Sequence, residues 1–282
     1  MFRSSRRRMD WNGYTLDFSS KTYVMGILNV TPDSFSDGGK FKEEHAAVAH
    51  AKEMLEAGAD IIDIGGESTR PGATKVEEDE EIKRILTPVN VVREAVDAPI
   101  SIDTYKAKVA EVAIEAGANI INDVWGAKAD PNMASVAAHY DVPIILMHNR
   151  EKAQYNDLID DMITDLKESI DICLRAGVKD ERIILDPGIG FGKTYKDNVL
   201  VMRDLHKITE LGYPVLLGTS RKSLIAKTLN LPVNERMEGT GATVCFGIDK
   251  GVNIVRIHDV LPIARMVKMM DVMVGKAEIP EN

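Results

Sequence analysis

The sequence predicts an α/β fold, a single (β/α)8 barrel with its active site at the C-terminal rim of the strands. Three observations indicate it: runs rich in Val, Ile and Leu recur along the chain, amphipathic stretches separate them, and glycine precedes several of the runs. Strands that alternate with helices form parallel sheets covered on both faces. Eight such units favour a closed barrel over an open sheet, and no GxGxxG follows the first strand as in a dinucleotide-binding fold.

An internal repeat marks the boundaries of the units. The segment EAGADII at 56–62 recurs as EAGANII at 115–121, with looser copies around Gly177 and Gly251. Glycine accepts the left-handed conformation that ends a helix, and β-branched residues suit a buried strand. The predicted strands are 22–30, 60–65, 99–103, 119–124, 143–147, 182–186, 214–218 and 253–257. The predicted helices are 43–57, 77–96, 106–116, 133–140, 158–176, 196–211, 223–250 (broken) and 261–274.

Composition indicates how the chain is organised. With 44% hydrophobic and 28% charged residues it resembles an ordinary globular protein, and barrels commonly reach ~250 residues as one domain. We predict one barrel domain over 21–282. Residues 1–20 begin with a basic stretch that no apolar h-region follows. We expect them to form a disordered or peripheral segment.

Net charge and cysteine content indicate which kinds of ligand the protein binds and in which compartment we expect it. A formal net charge of -9 argues against non-specific binding to nucleic acid or anionic membranes. No apolar run approaches the ~18 residues of a membrane span. Cys173 and Cys245 lie in predicted helices and form no CxxC pair, which suits a reducing cytoplasm. We therefore expect a cytoplasmic protein whose ligands are small molecules.

Polar residues follow nearly every predicted strand, and in a barrel these positions share the rim where active sites are built. Asp103, Asn122 and Asp186 end three of the strands. Two carboxylates and an amide suit the hydrogen-bonding edge of a heteroaromatic ring, because a ligand without the partner atoms would leave them unpaired. The alternative is that each residue merely caps the following helix.

Cations follow the last two strands, where many barrels bind phosphate. Lys222 precedes Ser223 at a predicted helix start, and Arg256 and His258 follow the eighth strand. Solvated rim charges are the alternative. No His/Cys spacing typical of zinc occurs, whereas Mg²⁺ held by phosphate oxygens needs only one or two protein ligands, of which Asn29 is a candidate.

Three segments that we expect at the rim have the composition of substrate-binding loops. Residues 31–39 and 67–73 combine Pro, Ser, Thr and Gly, as expected of loops that close over a site. Phe191, within GIGFGK at 188–193, can supply an apolar wall for an aromatic substrate. Structural turns and an inward-packed Phe191 are the alternatives.

A resemblance accompanies these patterns. Residues 25–39, MGILNVTPDSFSDGG, resemble the first signature of the dihydropteroate synthases, and 63–72, DIGGESTRPG, resemble the second. Further matches follow in order at 101–104, 121–123, 186–193, 220–223 and 256–259. The resemblance runs from about residue 20 to the C-terminus, which makes it far more specific than any single short motif.

The resemblance implies condensation of 6-hydroxymethyl-7,8-dihydropterin diphosphate with p-aminobenzoate, with Mg²⁺ and a homodimer formed through the last helices. By position it implies a catalytic, pterin-holding group made of Asp103, Asn122, Asp186 and Lys222. It implies a substrate-binding group made of Phe35, Asp37, Thr69, Arg70, Pro71, Met147, Phe191, Ser223, Arg256 and His258. Arg256, His258 and Thr69 would lie at the diphosphate, and Asn29 would reach it through the metal. Phe35, Pro71, Phe191 and Ser223 would frame p-aminobenzoate.

Two other functions compete with this one. The first is a pterin-binding barrel that passes a methyl group from methyltetrahydrofolate to a cobalamin protein. Such a barrel also binds its pterin through Asp and Asn side chains, but it needs no cations for a diphosphate. A non-catalytic pterin-binding protein is the second. Arg256 with His258 disfavours the first, and Lys222 with Asp186 disfavours the second. The cations and the electron-rich pterin ring predict an SN1-like substitution. Because Gly192 follows Phe191 without inserted residues, we also predict sulfonamide sensitivity.

Overall fold

The computed structural model describes residues 8–30, 40–68 and 73–279, in which eight parallel strands form a barrel surrounded by helices. The barrel strands are β3 (Tyr23–Asn29), β4 (Ile61–Gly65), β5 (Ile100–Asp103), β6 (Ile120–Asp123), β7 (Ile144–Met147), β8 (Ile183–Asp186), β9 (Leu216–Leu217) and β10 (Ile254–Ile257). The helices are α1 (Lys40–Glu56), α2 (Glu78–Ala95), α3 (Ala107–Glu115), α4 (Met133–Tyr140), α5 (Leu158–Arg175), α6 (Tyr195–Arg203), α7 (Leu205–Thr209), α8 (Ser223–Leu229), α9 (Met237–Asp249) and α10 (Val260–Met273). The predicted fold class is confirmed.

The sheet closes on itself through its shortest strand. Hydrogen-bonded neighbours run in the order β8, β7, β6, β5, β4, β3, β10, β9. A parallel bridge between Leu185 and Val215 joins the two ends, and the Leu185 N–H donates to the Pro214 carbonyl at 2.9 Å. β9 begins later than the predicted strand 214–218, because Pro214 has no N–H to donate and the Val215 N–H donates to the Asn253 side chain at 3.0 Å. The helix predicted at 196–211 is likewise divided, at Asp204.

Alternation along the strands separates an apolar floor from a polar rim. Ile61, Ile120, Ile184 and Ile254 belong to a buried cluster inside the barrel. Residues two positions further along a strand point to the same face. The residues two positions after these isoleucines are Asp63, Asn122, Asp186 and Arg256. Each of these four strands thus carries one apolar residue into the floor and one polar residue toward the C-terminal mouth.

Residues 8–20, part of the segment that we expected to be disordered or peripheral, include two ordered strands. Strands β1 (Arg8–Trp11) and β2 (Tyr14–Asp17) pair as an antiparallel hairpin whose turn is Asn12-Gly13, both with positive φ. Trp11 is 3% exposed, and its indole N–H donates to the Asn119 carbonyl at 2.8 Å. The hairpin covers the apolar floor, which would otherwise face water. An Asn-Gly turn between short alternating runs is the signal that predicts it.

Candidate active site

Arg256 links two carboxylates in the barrel mouth. Its Nε donates to Asp63 Oδ2 at 2.6 Å, and its Nη2 donates to Asp103 Oδ2 at 2.7 Å. Asp63 is fully buried, and Asp103 is 4% exposed. Burial opposes the positive charge, but the two carboxylates outweigh it and raise the pKa of Arg256 above its ordinary value. The guanidinium therefore remains charged and fixes both carboxylates.

Asn122 and Asp186 complete a buried polar group around that pair. Asn122 Nδ2 donates to Asp63 Oδ2 at 3.4 Å, and Asp186 Oδ1 accepts from the Gly188 N–H at 2.7 Å. Both side chains are at most 5% exposed. Helix capping does not explain them, because the helices that follow begin many residues later, and α6 is capped by Thr194.

Asp103 also lies too early to cap a helix, since Lys106 occupies the N-cap position of α3. Burial raises the pKa of Asp103 to about 7, against the lowering effect of Arg256. Among the described residues, three buried oxygens have no hydrogen-bond partner: Asp103 Oδ1, Asp63 Oδ1 and Ser101 Oγ. An unpaired buried polar atom costs about 1–3 kcal/mol. Bound donors from a ligand or water would remove that cost.

Lys222 approaches the same mouth from the start of α8. Its Nζ donates to the Ile189 carbonyl at 2.5 Å and lies 4.7 Å from the centre of the Phe191 ring. Burial lowers the pKa of Lys222 to about 8, partly offset by the attraction of Asp186. Burial also raises the pKa of Asp186 above its ordinary value, against the pull of Lys222. The two side chains therefore act as an electrostatic pair.

The remaining described candidates lie around this centre. His258 Nδ1 lies 2.9 Å from Ser220 Oγ, and the His258 N–H donates to the same oxygen at 3.1 Å. Met147 is buried at the end of β7, in register with Asp186. Ser223, the first residue of α8, is exposed. Five predicted residues lie outside the described residues: Phe35, Asp37, Thr69, Arg70 and Pro71.

The metal candidate Asn29 is exposed at the end of β3. Within the described ranges, no group of three or more His, Cys, Asp or Glu side chains could hold a metal. Asn29 nevertheless fits a labile Mg²⁺, which keeps water and phosphate oxygens as most of its ligands.

Among the described helices, none combines the length and the apolar composition that a membrane span requires.

Sequence reasoning assigned no role to Asp63, although it accepts from both Arg256 and Asn122. Its position two residues after the floor residue Ile61 is the signal that finds it, because the same spacing relates Ile120 to Asn122. His148 and Lys193, which bond each other beside Phe191, were also missed. Lys193 ends the GIGFGK segment and His148 directly follows β7, but neither pattern predicts that the two side chains bond each other.

Comparison with known proteins decides which family has this rim. A family model described as pterin binding enzyme matches residues 25–258. The dihydropteroate synthase of Bacillus subtilis (strain 168) is 61% identical over 264 residues, covering 94% of this chain and 93% of that protein. The chain belongs to the dihydropteroate synthase family. The dihydropteroate synthase of Clostridium beijerinckii is also 61% identical, over 261 residues that cover 92% of this chain and 97% of that one.

Solved dihydropteroate synthases share the fold. One from Clostridium difficile, in the presence of pteroic acid, superposes with a TM-score of 0.90 at 50% identity, covering 92% of this chain and 98% of that chain. One from Xanthomonas albilineans, with 4-aminobenzoic acid, gives 0.89 at 39% identity, covering 98% and 100%. One from Yersinia pestis, in a sulfonamide drug complex, gives 0.89 at 38% identity, covering 95% and 99%. This member of the family is an enzyme, a transferase of the folate pathway.

Proposed function

We propose that this chain joins 6-hydroxymethyl-7,8-dihydropterin diphosphate to p-aminobenzoate, giving 7,8-dihydropteroate and diphosphate. The observation that carries the proposal is the convergence of Asp103, Asn122, Asp186 and Lys222 in one buried mouth beside Arg256. Such a mixture of acceptors and donors matches the amide and amino groups of a pterin edge. Relatives of this family have been solved with pteroic acid and with 4-aminobenzoic acid.

The pterin would occupy the mouth with its ring edge toward the carboxylates. Asp103 has a buried oxygen without a partner, and Asp186 uses one oxygen for the Gly188 N–H. Ring N–H and amino groups are the donors that carboxylates accept. The Lys222 ammonium, beside Asp186, would donate to a ring carbonyl oxygen or nitrogen. Met147 would contact a face of the ring.

The substitution would be dissociative. The bond between the methylene carbon and the diphosphate oxygen breaks first, and its electron pair leaves with the oxygen. The electron-rich pterin stabilises the resulting cation, and the lone pair of the aryl amine then forms the C–N bond. One amine proton is lost to solvent. Aryl amines are weak nucleophiles, so stabilising the leaving group carries most of the activation.

Arg256 in β10 and His258 directly after that strand would bind the departing diphosphate. Asp63 and Asp103 keep Arg256 charged. His258, which follows β10, lies beside Ser220, which follows β9. Thr69 would contribute from outside the described residues. Mg²⁺, when bound, would neutralise diphosphate charge. Asn29 is the described residue placed to hold it, since an amide oxygen is a ligand that Mg²⁺ accepts.

p-Aminobenzoate would bind at the outer edge of the mouth. Phe191 would form one apolar wall, and the exposed Ser223 would face the carboxylate. Phe35 and Pro71 would complete the frame, with Asp37 and Arg70 on the loops that exclude water. Exposed Leu261, Met269 and Met273 on α10 support the proposal of a homodimer. The free thiols of Cys173 and Cys245 support a cytoplasmic location.

Diphosphate release from dihydropterin diphosphate with Mg²⁺ tests the proposal. We expect release that depends on p-aminobenzoate and matches dihydropteroate formation. Asp186→Ala should lower the rate at least ~100-fold, as loss of a buried group that orients the substrate does. The exposed Asp171→Ala is the matched control. Pterin binding without release would favour the methyl-transfer or binding-protein function, and release by Asp186→Ala near the wild-type rate would remove Asp186 from the site.

A further inference from the structure

The loop 188–193, which carries Phe191, is held from two sides by two lysines. On one side, Lys222 Nζ donates to the Ile189 carbonyl at 2.5 Å. On the other, Lys193 Nζ donates to the carbonyls of Gly188 and Phe191, both at 3.0 Å. Carbonyls can point to both sides because Gly188, Gly190 and Gly192 all have positive φ. A Cβ at Gly188 would overlap the His148 carbonyl.

The third partner of Lys193 begins a chain of hydrogen bonds that leads away from the mouth. Lys193 Nζ lies 2.8 Å from His148 Nδ1, and His148 Nε2 lies 3.0 Å from Asp165 Oδ2. Asp165 also accepts from Arg150 Nε at 2.6 Å. A carboxylate only accepts, so His148 Nε2 carries the proton and Nδ1 offers its lone pair. Burial lowers the pKa of His148 to about 3, which keeps the ring neutral.

Every atom within hydrogen-bonding distance of Lys193 Nζ is therefore an acceptor: His148 Nδ1 and the carbonyls of Gly188 and Phe191 lie within 3.0 Å, and the His148 carbonyl lies at 3.5 Å. An ammonium has three hydrogens, which match the three nearer acceptors. A neutral hydrophobic side chain would leave the Phe191 carbonyl and His148 Nδ1 without this donor, and the Gly188 carbonyl with only the Phe191 N–H as its donor. The loop conformation that brings Phe191 to 4.7 Å from Lys222 Nζ thus depends on a group that itself lies outside the mouth.

We propose that Lys193, held by His148 and Asp165, is a positioning residue that fixes the Phe191 loop and thereby selects an aryl amine substrate. The proposal rests on the proposed function, because Phe191 is assigned there as an apolar wall for p-aminobenzoate. Lys193 touches neither substrate in this arrangement. It acts through the carbonyls of Gly188 and Phe191.

The first test separates the two substrates kinetically. Lys193→Met keeps the length and apolar stem of the side chain and removes the three donors. We expect KM for p-aminobenzoate to rise at least ~10-fold, the ratio that 1.4 kcal/mol represents. The dissociation constant for the pterin substrate should stay within ~3-fold. Lys196→Met, on an exposed lysine of α6, is the matched control and should leave both values unchanged. Equal losses for both substrates would overturn the positioning role.

A second variant covers the case in which Lys193→Met fails to fold. Asp165→Asn removes the charge that orients His148 but leaves the Lys193 ammonium in place. We expect KM for p-aminobenzoate to rise in the same direction by a smaller factor. An unchanged KM in a folded Asp165→Asn protein would contradict the proposal that His148 and Asp165 hold Lys193 in place.

Amide hydrogen exchange tests the loop without any substrate, so its outcome does not depend on the proposed function. The Phe191 N–H donates to the Gly188 carbonyl at 3.1 Å, and the Gly190 N–H donates to Asn198 Oδ1 at 2.6 Å. In Lys193→Met the peptide covering 188–193 should exchange faster, while peptides from β7 and α5 keep wild-type rates. Uniform acceleration would indicate general destabilisation instead. If the wild type forms no dihydropteroate but the loop alone loosens, the proposed function fails and the positioning role stands.

The pH profile supplies a further readout. Burial lowers the pKa of Lys193 to about 7, opposed by attraction to Asp186. The other charged groups facing it are Lys222, Asp197 and Asp165, and Arg150 acts on its partner His148. In the wild type, KM for p-aminobenzoate should rise as the pH increases through about 7, because the ammonium is lost. Lys193→Met should lack this step and keep only the dependence due to Lys222. An identical profile in both proteins would contradict the proposal.

Discussion

Arg256 and Asp103 lie three strands apart in the barrel, yet Nη2 of one donates to Oδ2 of the other at 2.7 Å. The same guanidinium reaches Asp63 on the strand between β3 and β5. The residue assigned to the leaving group therefore orients a residue assigned to the pterin. Under the proposed function, Arg256 would couple the binding of the two ends of one substrate.

Asp63→Asn should weaken pterin binding although Asp63 is fully buried beneath the ligand-facing groups. An amide carries no charge to pair with Arg256, and with its oxygen kept toward Arg256 and Asn122 its NH2 group takes the buried place of Asp63 Oδ1, which has no hydrogen-bond partner. We expect pterin affinity to fall ~10-fold and the free energy of unfolding to fall by about 1–3 kcal/mol. Calorimetric titration and urea unfolding measure the two quantities.

Asp60→Asn is the control for that variant, because Asp60 lies at the opposite end of the barrel and pairs with the partly exposed Lys21 at 2.5 Å. Its ion pair should contribute no more than about 1 kcal/mol, and pterin affinity should not change. Wild-type pterin affinity in Asp63→Asn would show that Arg256 and Asp103 hold their geometry without it.

Activity should decline on the alkaline side because of Lys222. Burial lowers its pKa to about 8, so the ammonium is present below that pH and lost above it. We expect kcat/KM for the pterin substrate to fall ~10-fold per pH unit above about 8. Lys222→Met should be weak at every pH and lack this limb, and Lys227→Met on the exposed end of α8 should keep it. If kcat/KM for the wild type stays constant up to pH 10, pterin binding does not depend on the charge of Lys222.

The same shift predicts the pH dependence of stability. The pKa of Lys222 is lowered from 10.5 in the unfolded chain, so the folded state releases this proton first. The unfolded state then binds more protons between about pH 8 and 10.5, and the contribution of Lys222 to stability rises with pH in that window. Urea unfolding of the wild type and Lys222→Met across the window measures it. The unfolding free energy of the wild type, measured relative to that of Lys222→Met, should rise steadily as the pH increases across the window.

Trp11→Ala should destabilise the barrel without affecting the mouth. Trp11 is buried against the apolar floor, and its indole donates to the Asn119 carbonyl. We expect the free energy of unfolding to fall by about 3–5 kcal/mol. Pterin affinity should be retained, because the hairpin lies at the opposite end of the barrel. Arg8→Ala, on an exposed side chain of the same hairpin, should cost little. Comparable losses in both variants would show that the hairpin does not act as a cover.

A sulfonamide should compete with p-aminobenzoate. The loop from Gly188 to Lys193 carries no inserted residue beside Phe191, and a relative has been solved with a sulfonamide drug. We expect an inhibition constant within ~10-fold of KM for p-aminobenzoate. Steady-state inhibition against both substrates measures it. Non-competitive inhibition toward p-aminobenzoate would place the drug elsewhere.

Much of the fold follows from local patterns. Glycine after helical stretches and Val/Ile runs predict every barrel strand to within two residues, because those residues encode helix ends and buried strands by themselves. The rim candidates follow from one rule, that residues at the C-terminal ends of parallel strands meet. The hairpin at residues 8–17 was missed because its partners, Asn119 and the floor residues, are distant in sequence.

The sequence by itself determined the barrel, the end of it that carries the chemistry and, through resemblance, the family. Tertiary structure alone decided that Asp63 supports Arg256 and that Lys193 holds the Phe191 loop. Strand periodicity is a local property, whereas a hydrogen bond between residues 193 positions apart in the chain, such as Arg256 to Asp63, exists only once the barrel has closed. The sequence therefore predicted the candidate residues at the rim, but it did not predict the groups that orient them.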